Sequence, residues 1–415
     1  MSDIVFGSGI TIGTGISVLP PPTAPGAPTI GTATATGETT ATVTFTAPVN
    51  NGGATIISYT ATSSPGGVTG TLNQAGSGTI TVTGLTGSTS YTFTVTATNI
   101  AGTSSPSASS NSITTDASPL SKKAIFGYGD TISSGRTTIT NLVSNTGVVA
   151  TDTAGVGTAR AGLAAADYGT DKAIFGYGST SNFTASVVSM TNLVSNTGVV
   201  ANDTAGVGTA RQRLAAVGYG TDKAIFGYGY SVTAEYLSMT NLVSNTGVVA
   251  IDTTGVGTAR YQLAATGYGS SGQAIFGYGE TGPNLSITNL VSNTGVVATD
   301  TAGVGTARTG LAAAMYGGDK AIFGYGGAGG STYYSMTNLV SNTGVVATDT
   351  AGVGTTHGYL AAAKYGTDKA IFGYGYDPAT SYTAITNLVS NTGVVATDTA
   401  GVGTGRGYLA AASYG

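Results

Sequence analysis

The sequence predicts an all-β protein, and three observations support that prediction. Thr, Val and Tyr, which strands favour, are abundant, whereas charged residues make up only 8% of the chain and glycine accounts for 67 of the 415 residues. Apolar and small polar residues alternate over short runs, which is the period of a strand. The motif AIFGYG begins at residues 124, 173, 224, 274, 321 and 370, so a unit of about 50 residues repeats along the chain.

Composition excludes several functional classes. A net charge of −4 without a Lys/Arg cluster gives no electrostatic footprint for nucleic acid. The chain has no cysteine, which rules out disulfides, thiolate chemistry and cysteine-ligated zinc, and its single histidine, His357, leaves little room for a histidine metal site. No cofactor is predicted. The 40% of hydrophobic residues with so little charge argues against a disordered chain.

Residues 1–19 alternate apolar and small polar residues and end before three prolines. A single terminal strand cannot bury itself, so we predict a docking segment that pairs with another protein; a loose tail or an extra strand of the next domain is the alternative. The segment lacks the basic and unbroken apolar regions of a secretory signal, and the sequence has no 18-residue apolar run. We therefore expect synthesis in a cytoplasm and no membrane association. The predicted docking residues are Ile4, Val5, Phe6, Ile10, Ile12 and Ile16.

Residues 20–116 predict a small β-sandwich, because alternating runs at 40–48, 56–62, 79–85 and 88–102 are separated by turn-rich gaps. The stretch GLTGSTSYTFTVTATNIAG resembles the fibronectin type III family, and the resemblance implies a tyrosine corner at Leu85 and Tyr91. Phe45 stands where that family usually has tryptophan. Such modules are most often spacers, so we expect a spacer rather than a ligand-binding domain.

After a hinge at 117–122, residues 123–415 consist of repeats. Each unit has AIFGYG, a variable stretch, TNLVSNTGVVA, usually TDTAGVGTAR, then LAA and YG. We predict four strands per unit, exemplified by RQRLAAVGYG, KAIFGYG, SMTNLVSN and TGVVANDT. The first two resemble the first strands of kelch repeats, which implies blades of a β-propeller.

The frame of the repeats predicts how this array closes. The array begins at Lys123 with the second strand of a unit. It ends at residue 415 with GYLAAASYG, a segment of the first-strand type and the sixth of that type in the array. One blade is then completed by strands from both ends, which leaves no open sheet edge. The prediction for 123–415 is a six-bladed kelch-like propeller.

The variable stretches, residues 130–139, 179–190, 230–239, 280–287, 327–336 and 376–385, share little sequence. Strand alternation places them on one face, together with the connection from each fourth strand to the next unit. Diversified loops on a constant scaffold favour recognition over unselected drift, and their aromatic and polar residues suit sugar rings and hydroxyls. The candidate ligand-binding residues are Arg136, Phe183, Glu235, Tyr236, Tyr333, Tyr334, Tyr376, Asp377 and Tyr382.

Each unit also carries an aspartate eight residues before an arginine or its replacement. We expect these charges to pair within or between units; a ring of carboxylates that binds a metal is the alternative. His357 occupies one arginine position and is interpreted as a structural residue. The aspartates are Asp152, Asp203, Asp252, Asp300, Asp349 and Asp398, and the arginines are Arg160, Arg211, Arg260, Arg308 and Arg406.

No catalytic motif is present, since the chain has no nucleophile elbow, HExxH or P-loop, and we predict that it is not an enzyme. The combination of docking segment, spacer and repeat array resembles tailed-phage fibre and capsid-decoration proteins. That resemblance implies a virion protein, made in the host cytoplasm, that binds virion partners through 1–19 and a host-surface glycan through the loops. The alternatives are a bacterial surface or secreted adhesin, a purely architectural virion protein, and a polysaccharide-degrading enzyme; oligomeric state is left open.

Overall fold

The computed structural model describes residues 20–37, 39–87, 89–115, 122–133, 135–181, 186–233 and 235–415. The chain divides into two compact units, Met1–Pro119 and Leu120–Gly415. Over the described residues both units consist of strands and turns, with no helix, in agreement with the predicted all-β class. The predicted docking segment and most of the hinge lie outside the described residues.

The first unit is a sandwich of two antiparallel sheets. One sheet has the order β1-β2-β5, and the other has the order β4-β3-β6-β7, with β8 paired to β6. Its strands are β1 (Thr29–Ala35), β2 (Thr40–Thr46), β3 (Ser58–Ser64), β4 (Thr69–Leu72), β5 (Gly78–Thr83), β6 (Ser90–Asn99), β7 (Gly102–Thr103) and β8 (Ile113–Thr114).

Alternate residues of these strands form the sandwich core, as their period predicts. Val43 and Phe45 of β2 are buried in one cluster with Tyr59 of β3 and Val95 of β6. Phe45, at the position of the expected tryptophan, lies 4.2 Å from Tyr59 between ring centroids. The predicted tyrosine corner is confirmed, because the phenolic oxygen of buried Tyr91 accepts a hydrogen bond from the Thr86 amide at 3.0 Å.

The second unit repeats one short pattern of strands. The described strands are β9 (Lys123–Gly127), β10 (Asp130–Thr131), β11 (Gly135–Arg136), β12 (Thr140–Val143), β13 (Ala164–Tyr168), β14 (Lys172–Gly176), β15 (Thr191–Val194), β16 (Ala215–Tyr219), β17 (Lys223–Ser231), β18 (Glu235–Val243), β19 (Ala264–Tyr268), β20 (Gln273–Gly277), β21 (Thr288–Val291), β22 (Ala312–Tyr316), β23 (Lys320–Gly324), β24 (Gly327–Gly329), β25 (Thr332–Tyr333), β26 (Thr337–Val340), β27 (Ala361–Tyr365), β28 (Lys369–Gly373), β29 (Tyr376–Asp377), β30 (Ser381–Tyr382), β31 (Thr386–Val389) and β32 (Ala410–Tyr414).

These strands form six antiparallel sheets of three, each with the AIFG strand in the centre. In three sheets the strands are consecutive, as in β13-β14-β15, where Ala166 pairs with Ile174 and Ile174 pairs with Leu193. In β22-β23-β26 and β27-β28-β31 a separate two-stranded hairpin lies between the second and third strands of the sheet. The sixth sheet, β12-β9-β32, joins the two ends of the repeat array through the pair Ala412 and Ile125. This pairing is the one that the repeat frame predicts.

The predicted fourth strand is not a regular strand. In the second repeat it is joined to β15 by two isolated bridges, Thr191 with Thr204 and Val194 with Val200. The ladder of backbone hydrogen bonds is interrupted because the Asn192 side-chain amide donates to the carbonyl of Ala201 at 3.0 Å. The segment then turns away, which allows Asp203 to contact the neighbouring repeat.

The six sheets contact one another in a closed cycle. The first strands follow the order β13, β16, β19, β22, β27, β32 and back to β13. Between neighbouring sheets a Tyr ring packs against a Phe ring, as Tyr128 does against Phe175 at 5.2 Å, and Tyr374 against Phe126 completes the cycle at 5.1 Å. The central AIFG strands are buried on both faces, which accounts for their apolar residues.

Two rings of backbone hydrogen bonds join the six first strands. One ring lies at the end where the first strands begin. There, one residue of each repeat donates its backbone amide to the carbonyl of the equivalent residue in the preceding repeat. The donors are Gly162, Arg213, Gln262, Gly310, Tyr359 and Tyr408, and Gly162 donates to Tyr408, so the ring has no gap. At the other end, the glycine after each first strand donates to the following repeat, and Gly366 bonds with Lys122.

Candidate functional site

The constant charges form a network between repeats. Arg160 is fully buried, donates from Nε to the carbonyl of Tyr177 at 2.9 Å, and also donates to the side chain of Asn192. Its Nη1 lies 3.6 Å from Oδ1 of Asp203 in the next repeat. The prediction that these acids and bases pair is confirmed, with the partners in adjacent repeats.

The aspartate of each pair is tied to its neighbour by further hydrogen bonds. The Thr158 hydroxyl donates to Asp203 Oδ2 at 2.6 Å, and the contact recurs around the cycle until Thr404 donates to Asp152. Burial alone would raise the pKa of Asp203, but hydrogen bonds from Thr158 and Asn192 outweigh it and hold that pKa below its ordinary value. This network has a structural role, since hydrogen bonds occupy each carboxylate.

Gly157, which precedes Thr158, is required by the same contact with Asp203. Gly157 has φ of 82°, and a Cβ at this position would lie 2.4 Å from Asp203 Oδ1. Only glycine allows this approach without strain. The constant sequence GVGT therefore follows from the packing of one repeat against the next.

A different set of residues surrounds the cyclic axis at the end with the variable stretches. The residues of the first backbone ring have left-handed φ values between 52° and 65° in all six repeats. Glycine adopts this conformation without penalty, and two repeats have glycine there, Gly162 and Gly310. The other four instead carry side chains, namely Arg213, Gln262, Tyr359 and Tyr408.

Two of these axial residues, Tyr359 and Tyr408, belong to a group of half-buried tyrosines. We call this group the tyrosine array: Tyr230, Tyr236, Tyr261, Tyr333, Tyr359, Tyr376, Tyr382 and Tyr408. Tyr359 and Tyr408 stack with ring centroids 4.1 Å apart, and Tyr236 and Tyr261 stack at 5.2 Å. Tyr333 contacts both Tyr359 at 6.1 Å and Tyr376 at 5.7 Å.

Arg213 joins the two halves of the array. Its guanidinium carbon lies 5.3 Å from the ring centre of Tyr408 and 5.7 Å from that of Tyr261. Such placement of a cation near aromatic faces is favourable. The array thus extends from Tyr382 through the axis to Tyr230 as one connected set of ring and cation contacts.

A polar network lies beside the array. The Gln262 carboxamide satisfies its neighbours when its oxygen accepts from Arg213 Nη1 at 2.9 Å and its nitrogen donates to Thr309 Oγ1 at 2.9 Å and to Glu280 Oε1 at 3.3 Å. Glu280 in turn bonds the hydroxyl of Tyr261; burial and this carboxylate both raise the pKa of that tyrosine. Donors and acceptors therefore lie next to exposed aromatic edges.

The structure brings four of the predicted ligand-binding residues together. Tyr236, Tyr333, Tyr376 and Tyr382 are all members of the array. Burial, with a contribution from the Asp130 charge, raises the pKa of Tyr382 to about 12, so this hydroxyl is a neutral donor at physiological pH.

Other predicted residues have structural contacts or lie apart. Arg136 is paired with Asp130 and donates to the carbonyl of Ser179 at 3.1 Å, so it ties two adjacent variable stretches together. Asp377 is buried and caps its own turn by accepting from the Ala379 amide at 2.9 Å. Tyr334 is half-buried near the charge of Arg308, and Glu235 is exposed. Phe183 and the predicted docking residues lie outside the described residues.

Sequence reasoning missed Tyr230 and Glu280, although both lie in variable stretches. It also missed Arg213, Tyr261, Gln262, Tyr359 and Tyr408. They occupy a window of two residues between the constant arginine, or His357, and the constant leucine of each repeat. The six versions of this window are AG, QR, YQ, TG, GY and GY, a variation as great as that of the longer stretches. A comparison of the copies position by position would have identified them.

The other end of the axis has a cavity of about 330 Å³ lined by alanines of the first strands. Asp167 and Lys364 form an ion pair of 3.0 Å in its wall. Lys122 also lines the cavity, and its burial lowers its pKa, although Asp167 opposes that effect. One wall position has a different residue in almost every repeat: Asp167, Gly218, Gly267, Met315, Lys364 and Ser413.

Among the described residues, no group of three His, Asp or Glu side chains has the arrangement of a metal site. Nor does this part of the chain hold a helix of the length and apolarity that crossing a bilayer requires.

Comparison with known proteins identifies the first unit. Residues 26–113 match the family model described as "Fibronectin type III domain", in agreement with the sandwich and its tyrosine corner. For a larger part of the chain, a solved structure titled "Structure of YjhT" is similar with a TM-score of 0.47 and 11% identity, over 62% of this chain and 90% of that one. No curated protein matches the sequence.

Proposed function

We propose that residues 123–415 form a six-bladed kelch-like β-propeller whose variable face recognises a host-surface glycan. The cyclic order of the six sheets, the sheet shared by both ends of the array and the two backbone hydrogen-bond rings support this architecture. Its central AIFG strands are buried on both sides, as stacked blades require.

The tyrosine array is the observation that carries the recognition role. Eight half-buried rings provide flat apolar surfaces with polar edges, and the Arg213, Gln262 and Glu280 network supplies hydrogen-bond donors and acceptors beside them. Stacking on aromatic faces combined with hydroxyl recognition is the chemistry that binds sugars. An architectural protein without a ligand would have no need for such an array.

Variation between the repeats supports the same role. The hairpins that contain SNTGVV are identical in all six copies even at exposed positions such as Val148, Val199 and Val345. The variable stretches differ at nearly every position. Apart from the cavity wall at the other end of the axis, where residues such as Asp167 and Lys364 differ from their equivalents, the variation is concentrated in the variable stretches and the axial window, and this concentration favours selection for binding.

We place this protein on a tailed-phage particle, as a fibre or decoration protein made in the host cytoplasm. It would dock through residues 1–19, with the fibronectin type III domain as spacer. The support is the order of the segments together with the absence of cysteine and of catalytic motifs. A bacterial adhesin is the second candidate, and its detection on cells that carry no phage would favour it.

A glycan array probed with the full-length protein tests the recognition role. We expect binding that is lost in the variant Tyr333→Ala/Tyr376→Ala/Tyr382→Ala while the melting temperature of the protein remains within a few degrees. Val345→Ala, at an exposed hairpin away from the array, is the matched control and should bind as the wild type does. Absence of binding to every host-surface glycan would favour the architectural alternative.

A further inference from the structure

The axial residues of the tyrosine array are held in a conformation that glycine would adopt at lower cost. A non-glycine residue in the left-handed region costs on the order of 1 kcal/mol. Gly162 and Gly310 occupy two of the six equivalent positions with φ of 65° and 63°, and Tyr359 and Tyr408 have nearly the same φ, 55° and 54°. The ring therefore forms with glycine, and the strain at the other positions is not needed to close it.

Strain that the fold does not require indicates that the side chains themselves are used. The stacked Tyr359 and Tyr408 rings lie at the axis, and Arg213 extends over Tyr408 from a repeat on the far side of Gly162. A Cβ at Gly310 would lie 2.8 Å from Cδ1 of Tyr359, so glycine at that position makes room for the Tyr359 ring. The axis is thus the place where aromatic faces and the Arg213, Gln262 and Glu280 network meet.

The charges of this face limit the class of ligand. The variable stretches and the axial window carry four carboxylates, Asp130, Glu235, Glu280 and Asp377, against two cations, Arg136 and Arg213. Arg136 is paired with Asp130, and the Arg213 guanidinium already contacts Gln262 and two tyrosine rings. An anionic ligand would meet net negative charge, whereas the hydroxyls of a neutral sugar could bond to both Arg213 and Glu280.

Resting on the proposed function, we infer that the glycan site is centred on the axis at Tyr359, Tyr408, Arg213 and Glu280, and that its ligand is a neutral pyranose rather than an acidic sugar. The edges of the stacked Tyr359 and Tyr408 rings contact the sugar, Arg213 donates to one hydroxyl, and Glu280 accepts from another. The outer members of the array extend the contact to further sugar units.

Isothermal titration of the full-length protein tests this inference with oligosaccharides identified on the array. The probes are matched pairs that differ only in the terminal residue, a glucose in one and a glucuronic acid in the other. We expect the neutral member to bind at least about tenfold more tightly, and Glu280→Gln to reduce that preference. Equal or tighter binding of the glucuronic acid member would overturn the assignment of ligand class.

Glycine variants test the location of the site without a change of backbone geometry. Tyr359→Gly and Tyr408→Gly copy the residue found at positions 162 and 310, so the melting temperature should change by only a few degrees, while the dissociation constant should rise at least about tenfold. Tyr334→Ala removes a loop tyrosine that makes none of the described ring contacts, and it should bind as the wild type does.

The outcomes separate the two proposals. Glycan binding that survives both glycine substitutions would overturn the axial site and leave the recognition role intact. Failure of the wild-type protein to bind any neutral or acidic glycan would contradict the recognition role itself, and the axial site with it.

Discussion

A single position, occupied by arginine in five repeats and by histidine in one, shows what the constant cation contributes. In four of the five arginine repeats Nε donates to a tyrosine carbonyl of the next sheet, as Arg308 does at 2.8 Å. In all five, Nη2 donates to an asparagine, as Arg406 does to Asn141 at 2.7 Å. His357 is too short for either contact, and among the described atoms His357 Nε2 and Asn387 Oδ1 are buried without a hydrogen-bond partner.

We predict that His357→Arg stabilises the protein. The acceptors of an arginine are already present, since Asn387 and Asp398 are retained and Tyr325 lies 4.5 Å below the histidine ring. Restoring hydrogen bonds to buried, unpaired groups should add about 1 to 2 kcal/mol to the free energy of unfolding. The melting temperature should therefore rise by about 2 to 5 °C. Differential scanning calorimetry measures the change.

The reciprocal substitution Arg308→His is the control for that prediction. It creates the same unpaired asparagine one repeat earlier, at Asn338, and should lower the melting temperature. A His357→Arg protein that melts at the wild-type temperature would show that burial of the added charge cancels the new hydrogen bonds.

At this scale the sequence predicted only part of the site. The repetition of aspartate and arginine indicated that they pair, but their spacing of eight residues could not show that Arg160 contacts Asp203 of the next repeat rather than Asp152 of its own. Four of the five array tyrosines in the long variable stretches were predicted, and Tyr230 was not. Tyr359 and Tyr408 were missed, because their contacts depend on convergence of all six repeats at one axis.

At the scale of the strands, the alternation of apolar and polar residues and the frame of the repeats predicted the inner three strands of each unit. They did not predict the structure of the outer segment. The residues of TGVVANDT have strand-like composition. However, the side chain of Asn192 donates to the carbonyl of Ala201, which a regular strand would use for backbone pairing. That side-chain competition is not visible in a hydrophobic pattern. The closing strand was predictable, since a unit that is incomplete at both ends can be completed only by pairing its two parts.

The final strand β32 should therefore stabilise the whole second unit. It pairs with β9 and buries Ala410, Ala412 and Tyr414 between two neighbouring sheets. Deletion of residues 407–415 would remove these contacts, the two backbone hydrogen bonds between Gly407 and Asp130, and the donor at Gly415, and would expose the edge of β9. We expect the melting temperature of this unit to fall by more than about 10 °C.

The control for this deletion is the full chain with a short Gly/Ser extension after residue 415, which retains β32 and should melt as the wild type does. Circular dichroism at the β-sheet band, followed with temperature, measures both proteins. A deletion variant with an unchanged melting curve would argue against closure of the array through β32.

At the scale of the whole molecule, the same contacts between neighbouring repeats occur six times, because the six repeats are nearly identical. Gly157, Asn192 and Asp203 each meet a neighbouring repeat, so a change at one of them would have to be compensated in the next copy. The exposed valines of the SNTGVV hairpins have no such contact, and nothing in the structure explains their identity. Constant contacts around the cycle leave the axial window, the variable stretches and the cavity wall at the other end of the axis as places where single copies diverge.

The proposed docking of the whole protein on a phage particle rests on residues 1–19, which lie outside the described residues. If this segment pairs with a virion protein as an added strand, deletion of residues 2–19 should leave the melting temperature unchanged but abolish incorporation into particles. Alternation predicts that one face makes the contact, so Ile10→Asp should also reduce incorporation and Thr11→Asp should not. Quantitative immunoblotting of purified particles measures copy number. Incorporation of the deletion variant at the wild-type level would contradict docking through this segment, because the remaining domains would then suffice for attachment.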